Sequence, residues 1–246
     1  MVNILIEPLE CALECLDNFK KGAILLVNRE PNGLELSLGA EAFVKDVSIG
    51  KELSNRAGKK VAILGGGGIS ADSPYYKEAL KLGRLLASAG VSVITGGGPG
   101  IMEAGNKGAK LSESHSASYG LKVNAIKGEH LDGLTYFDDD GLFEFNTLAV
   151  RLLSLISNSD AVVFFPGGYG TLEELFSLVV RMRVNIMNKV PVYLFGSEYW
   201  NGLVAWLTDV VLPNKTINKQ DLDLFSIEDD VENISNNIIN YCSQLN

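Results

Sequence analysis

The sequence predicts an α/β protein built on a doubly wound parallel sheet, preceded by a short N-terminal extension. Three observations predict it. From Lys59 onward, short apolar runs alternate with longer amphipathic ones, the rhythm of strands crossed over by helices. The runs Val61-Ala62-Ile63-Leu64 and Ala161-Val162-Val163-Phe164-Phe165 are continuously apolar, as strands buried on both faces require. Three glycine-rich turns each follow such a run, and in parallel sheets the ligand crevice lies beyond the carboxyl ends of the strands.

The elements follow in order. Residues 1–58 read as an extension. In it Ala23–Val27 and Leu34–Leu38 flank the turn signal Glu30-Pro31-Asn32-Gly33 and read as a hairpin. Ser48–Gly58 reads as a polar helical connector, and no chemistry is evident in the extension. Residues 59–246 read as the ligand-binding domain. Val61–Leu64 is a strand ending in Gly65–Gly68, and Tyr75–Ala89 is an amphipathic helix stopped by Gly90. Val91–Thr95 is a strand followed by Gly96-Gly97-Gly98-Pro99-Gly100, and Ile101–Lys110 is a helix whose Ala104, Gly105 and Gly108 allow close packing. Ser116–Ile126 contains a strand, Leu148–Ser157 is a helix and Ala161–Phe165 a strand. Leu175–Val180 continues a helix begun after Pro166-Gly167-Gly168-Tyr169-Gly170, and Pro191–Phe195 is a strand ending at Gly196. Leu203–Leu212 and Ile227–Leu245 are terminal helices, and Asp138-Asp139-Asp140 reads as a solvated loop.

Bulk properties exclude several classes. With 246 residues, 46% apolar and 21% charged, the chain can bury a sizeable core. A net charge of −9 argues against a nucleic-acid binder. Cys11, Cys15 and Cys242 are too few for a disulfide framework and, with His115 and His130, form no zinc pattern. Glu7, Glu10 and Glu14 interrupt any secretion signal, and no stretch is apolar enough to span a bilayer, so a cytoplasmic location is expected.

The glycine turns carry the chemistry. A strand, a glycine turn and a helix start present bare backbone N–H groups to an anion, and Pro166–Thr171 has that form. Glu173 and Glu174 follow just inside the helix, where the dipole is expected to favour their ionised form. Gly66-x-Gly68-x-x-Ala71 loosely fits a dinucleotide fingerprint, but Thr95-Gly96-Gly97 stands where a ribose-binding acid is required. An NAD-dependent dehydrogenase is therefore rejected. Neither loop ends in Gly-Lys-Ser/Thr, which excludes a P-loop ATPase. Arg151 is the one charge on an otherwise apolar helix, so it needs a partner such as Glu173, Glu174 or a ligand phosphate.

Two signatures stand out together: PGGxGTxEE at Pro166–Glu174, and TGGGPGIMEAxNxGA at Thr95–Ala109. With them the region from Lys59 to Leu212 resembles the Lonely guy family of cytokinin riboside 5′-monophosphate phosphoribohydrolases, long labelled lysine decarboxylases. The resemblance implies a Rossmann-like fold and hydrolysis of the N-glycosidic bond of AMP or a related purine monophosphate. It implies catalytic roles for Arg151 and Glu174, with Glu173 beside them. The substrate-binding set it implies is Gly97, Gly98, Gly100, Glu129, Gly167, Gly168, Tyr169, Gly170 and Thr171. It further implies a homodimer acting on a small nucleotide, with no metal or organic cofactor. No lysine is singled out for a Schiff base, so a PLP-dependent lysine decarboxylase gains no support.

The chain also departs from the family pattern. Leu152 follows Arg151 where the family usually has Lys, and Gly65–Gly68 replaces a loop that usually ends in Arg. Arg181 and Arg183 are candidates to restore that charge, although a surface role is the preferred reading for both. The competing expectation is a non-catalytic carrier of a nucleotide or molybdenum cofactor on the same scaffold, and a DNA-handling relative is disfavoured by the acidic balance.

Overall fold

The computed structural model describes residues 39–112, 116–124 and 136–245. The proposed hairpin, Cys11, Cys15, His115, Glu129 and His130 lie outside the described residues. Helix α1 spans Gly39–Asn55 and leads into strand β1, Lys60–Leu64. Then come α2 (Pro74–Ser88), β2 (Ser92–Thr95), α3 (Ile101–Lys110), β3 (Ser118–Val123) and β4 (Leu142–Phe145). The second half contains α4 (Leu148–Ser157), β5 (Ala161–Phe164), α5 (Tyr169–Arg183), β6 (Val192–Phe195), α6 (Ser197–Trp206), β7 (Ser226–Glu228) and α7 (Val231–Gln244). A π-helical turn, Leu207–Val211, extends α6.

Among the described residues, seven strands form one parallel sheet in the order β4-β3-β2-β1-β5-β6-β7. The order turns back at β1, which pairs with β2 on one side and β5 on the other. That is the switch point where a crevice opens beyond the strand ends. Side chains alternate across the sheet. Ala62, Leu64 and Phe164 meet α4, α5, α6 and Leu53 of α1, whereas Val61, Ile63 and Val163 meet α2, α3 and α7. The predicted α/β doubly wound class is what the chain adopts.

Small residues draw α2 and α3 together. A Cβ at Gly83 would lie 2.2 Å from the Gly105 carbonyl oxygen, and one at Gly108 would lie 2.0 Å from that of Leu80. Neither position admits a larger side chain without separating the helices.

Several local expectations are corrected. The connector read as helical over Ser48–Gly58 is helical as far as Asn55, but as the end of the 17-residue α1 rather than a separate element. The helix expected to open at Leu203 starts at Ser197, and the one expected from Ile227 is preceded by β7, with its start at Val231 capped by Asp230. Asp138–Asp140 is not simply a solvated loop. Asp138 accepts from the Ser118 N–H at 3.0 Å and pairs with Lys110 at 2.7 Å, and Asp140 pairs with Arg56. Among the described residues no helix is long and apolar enough to cross a membrane.

Candidate active site

The turn after β5 creates the centre of the site. Helix α5 begins at Gly168 with no side-chain cap, and its first backbone bond runs from the Leu172 N–H to the Gly168 carbonyl at 3.1 Å. The amides of Tyr169, Gly170 and Thr171 therefore precede the helical ladder and make no helical bond. Such an end, with the positive pole of the helix behind it, suits an anion. A Cβ at Gly168 or Gly170 would meet nothing within 4 Å, so the chain here faces open space. Gly167 lies beneath. A side chain there would strike the Thr171 hydroxyl at 2.1 Å and the Gly66 amide at 2.9 Å.

Around this helix end lies a cavity of about 270 Å³. Gly65, Gly66, Gly67, Gly96 and Met102 line it, together with apolar Val123, Leu148 and Leu152. Gly168, Gly170, Thr171, Glu173, Glu174 and Arg151 complete the lining.

Arg151 and Glu174 are fixed against each other. Arg151 is 9% and Glu174 8% exposed, and Arg151 Nη1 donates to Glu174 Oε1 at 2.5 Å. Arg151 Nε donates to the Leu121 carbonyl at 3.0 Å, so the guanidinium is held on two sides. Gly96 admits it, since a Cβ there would lie 1.9 Å from Arg151 Nη2. Burial pushes the Glu174 carboxyl upward. The charge and hydrogen bond of Arg151 oppose that rise, and the charge of Glu173 adds to it. The expectation that the helix dipole governs both acids is corrected: no acid lies in the first turn of α5, and the dipole effect fades beyond that turn. Successive helix residues point about 100° apart, which leaves Glu173 exposed at the rim while Glu174 is buried. A carboxylate with raised proton affinity can accept a proton from water, and the same group can face a developing cation.

The cavity thus gathers Arg151, Glu173, Glu174, Gly168, Gly170 and Thr171 of the expected residues. Tyr169 is 94% exposed beside it. Gly97, Gly98 and Gly100 are not among the lining residues. The Gly97 amide is bound to Thr95 Oγ1 at 3.0 Å, and Gly100, at φ +67°, packs against the Gly66 and Gly67 carbonyls. In their place stand Gly65, Gly66, Gly67 and Gly96, which sequence reasoning left out of the site. Position in the strand-turn-helix pattern was the available signal for the first three. Glu129 lies outside the described residues. Arg181 and Arg183 cannot supply the missing cation, because they lie in the last turn of α5, at the end of that helix away from the glycine turn. There they contact the Ser177 carbonyl and Asp221. Among the described residues no cluster of His, Cys, Asp or Glu could hold a metal ion.

Comparison with known proteins bears on the family and the fold. The family described as "possible lysine decarboxylase" matches residues 102–238, more than half of the chain. A probable cytokinin riboside 5′-monophosphate phosphoribohydrolase of Oryza sativa subsp. japonica is 27% identical over 155 residues, covering 62% of this chain and 61% of that protein. The enzyme of that activity from Arabidopsis thaliana is 26% identical over 164 residues, 66% of this chain and 74% of its own length. Among solved structures, the molybdenum cofactor binding protein of Rippkaea orientalis superposes with a TM-score of 0.54 at 23% identity, over 75% of this chain and 97% of that one. That likeness is one of fold. With its signatures converging on one cavity and more than half of its length matched, the chain belongs to the Lonely guy family, the family described as possible lysine decarboxylases whose named relatives are phosphoribohydrolases.

Proposed function

We propose that the protein is a nucleoside 5′-monophosphate phosphoribohydrolase that cleaves AMP or a related purine monophosphate into free base and ribose 5-phosphate. The observation that carries the reading is the sharing of one cavity by an uncapped helix start and a buried carboxylate–guanidinium pair. The phosphate sits on the amides of residues 168–171, and that remote binding energy holds the sugar against Glu174. As the glycosidic bond lengthens, its electron pair passes to the base nitrogen and positive charge grows on the sugar, where the carboxylate offsets it. Water adds to the sugar carbon. One of its protons passes to Glu174 and from there to the departing base nitrogen, which restores the carboxylate. Arg151 keeps Glu174 oriented and contributes to anion binding. The protein is proposed to work as a homodimer, with exposed Val180 of α5 and Val184 and Ile186 just beyond its end available for contact.

One observation favours the carrier reading instead. Arg151 is the sole cationic side chain among the described cavity residues, and Glu174 already engages it. Incubation with a panel of nucleoside monophosphates separates the two. Equal yields of free base and ribose 5-phosphate are expected, whereas tight binding without base release establishes a carrier.

A further inference from the structure

We infer that Asp46, on a helix that lies before both glycine signatures, is a positioning residue for Arg151. The Asp46 side chain is fully buried and binds the head of α4. Its Oδ2 accepts from the Thr147 N–H and from Thr147 Oγ1, each at 2.7 Å. Both carboxylate oxygens accept from the Asn146 N–H at 3.0 Å, and Oδ1 accepts from Asn146 Nδ2 at 2.9 Å.

Thr147 is the residue that starts α4, but its hydroxyl does not cap its own helix. It donates to Asp46 instead, so a carboxylate from α1 holds the Asn146 and Thr147 N–H groups just ahead of α4. The first helical bond of α4 then joins the Arg151 N–H to the Thr147 carbonyl at 3.2 Å. Arg151 thus stands one turn, about 6 Å, from the anchored end. At its far end it reaches Leu121 and Glu174 through contacts of 3.0 and 2.5 Å. A shift of α4 by about 1 Å would break both and, in a preorganised site, lower the rate by about 100-fold. Leu148 and Leu152 of the same helix line the cavity, so the anchor also sets its apolar side.

That Arg151 acts on substrate rests on the proposed function; the coupling of Asp46 to Arg151 does not. The test therefore reads Arg151 directly. In 15N-labelled protein, the Arg151 Nε–H resonance, identified by its absence in Arg151→Lys, is expected to exchange slowly with solvent. Asp46→Asn is expected to speed that exchange at least tenfold and to lower kcat/KM for base release, without adding to the loss already present in Arg151→Lys. An Nε–H exchange rate in Asp46→Asn that rises no more than that of the slowest backbone amides, which report global stability, would overturn the inference, because a purely structural anchor exposes that proton only through global unfolding. Should Asp46→Asn fail to fold, Thr147→Val, which removes one donor to Asp46, is read by the same rule. Absence of base release from the wild type would defeat the proposed function alone and leave the exchange result standing.

Discussion

Replacing Gly96 by alanine acts most strongly on the placement of Arg151. The φ of Gly96 lies outside the left-handed range, so an L-residue is not strained there. The added Cβ would nevertheless lie 1.9 Å from Arg151 Nη2 and 2.7 Å from Met102 Sδ. Met102 can rotate its thioether away at little cost. Arg151 must retreat about 1.5 Å to reach ordinary contact near 3.4 Å, and the bonds to Glu174 and Leu121 do not survive that displacement. A misplacement of about 1 Å typically lowers an enzymatic rate about 100-fold, which corresponds to about 2.7 kcal/mol of transition-state stabilisation. The assay is release of free base from AMP, run well below the Tm of both proteins, with Tm measured alongside. A Gly96→Ala protein that retains kcat/KM within about threefold of wild type would refute the reasoning, because Arg151 would then not depend on the position seen here.

Arg151→Ala should raise KM and lower kcat together, by about 100-fold or more in kcat/KM. With its cation gone the Glu174 carboxyl should climb further, moving the acidic limb of the pH–rate profile upward; an unchanged rate at low substrate removes Arg151 from the site. The raised Glu174 carboxyl makes the folded protein hold that proton more tightly than the unfolded chain. Its contribution to stability is therefore full below the ordinary carboxylate pKa of about 4.3 and is lost as pH rises through the higher folded value. Denaturant unfolding across pH should show wild type losing stability relative to Glu174→Gln over that window; a gain would mean that Arg151 outweighs burial. Gly100→Ala combines a φ of +67° with a Cβ 2.4 Å from the Gly66 carbonyl oxygen. The backbone conformation alone should cost about 1–3 kcal/mol, seen as a lowered Tm, and an unchanged Tm would show that the two loops are not locked there.

Much of the architecture is local information. Helices Ile101–Lys110 and Leu148–Ser157 are legible to the residue, because apolar periodicity and flanking loop signals agree. Strand β4 escaped notice. It is four residues at the sheet edge with alternating exposure, and it follows an acidic run. Residue Ile227 was absorbed into a helix because an apolar residue four positions before the start of an amphipathic helix cannot be told from that helix's first turn. The pairing of Arg151 with Glu174 could be anticipated, since a lone charge on an apolar helix needs a partner. Which glycines face the ligand could not. Gly96 and Gly97 are adjacent, but one makes room for a side chain from a helix 55 residues away and the other spends its amide on Thr95. Asp46 was invisible for the same reason, as its partners lie 100 and 101 residues along the chain.

Glu174→Gln offers the most direct test, because the substitution keeps the shape of the buried side chain and removes its charge. Free base and ribose 5-phosphate would be quantified after incubation of wild type and variant with AMP, with nucleotide binding followed by calorimetry. The account predicts equal amounts of both products from wild type, and from Glu174→Gln a protein that still binds AMP but releases no base. Base release by the variant at the wild-type rate would contradict it.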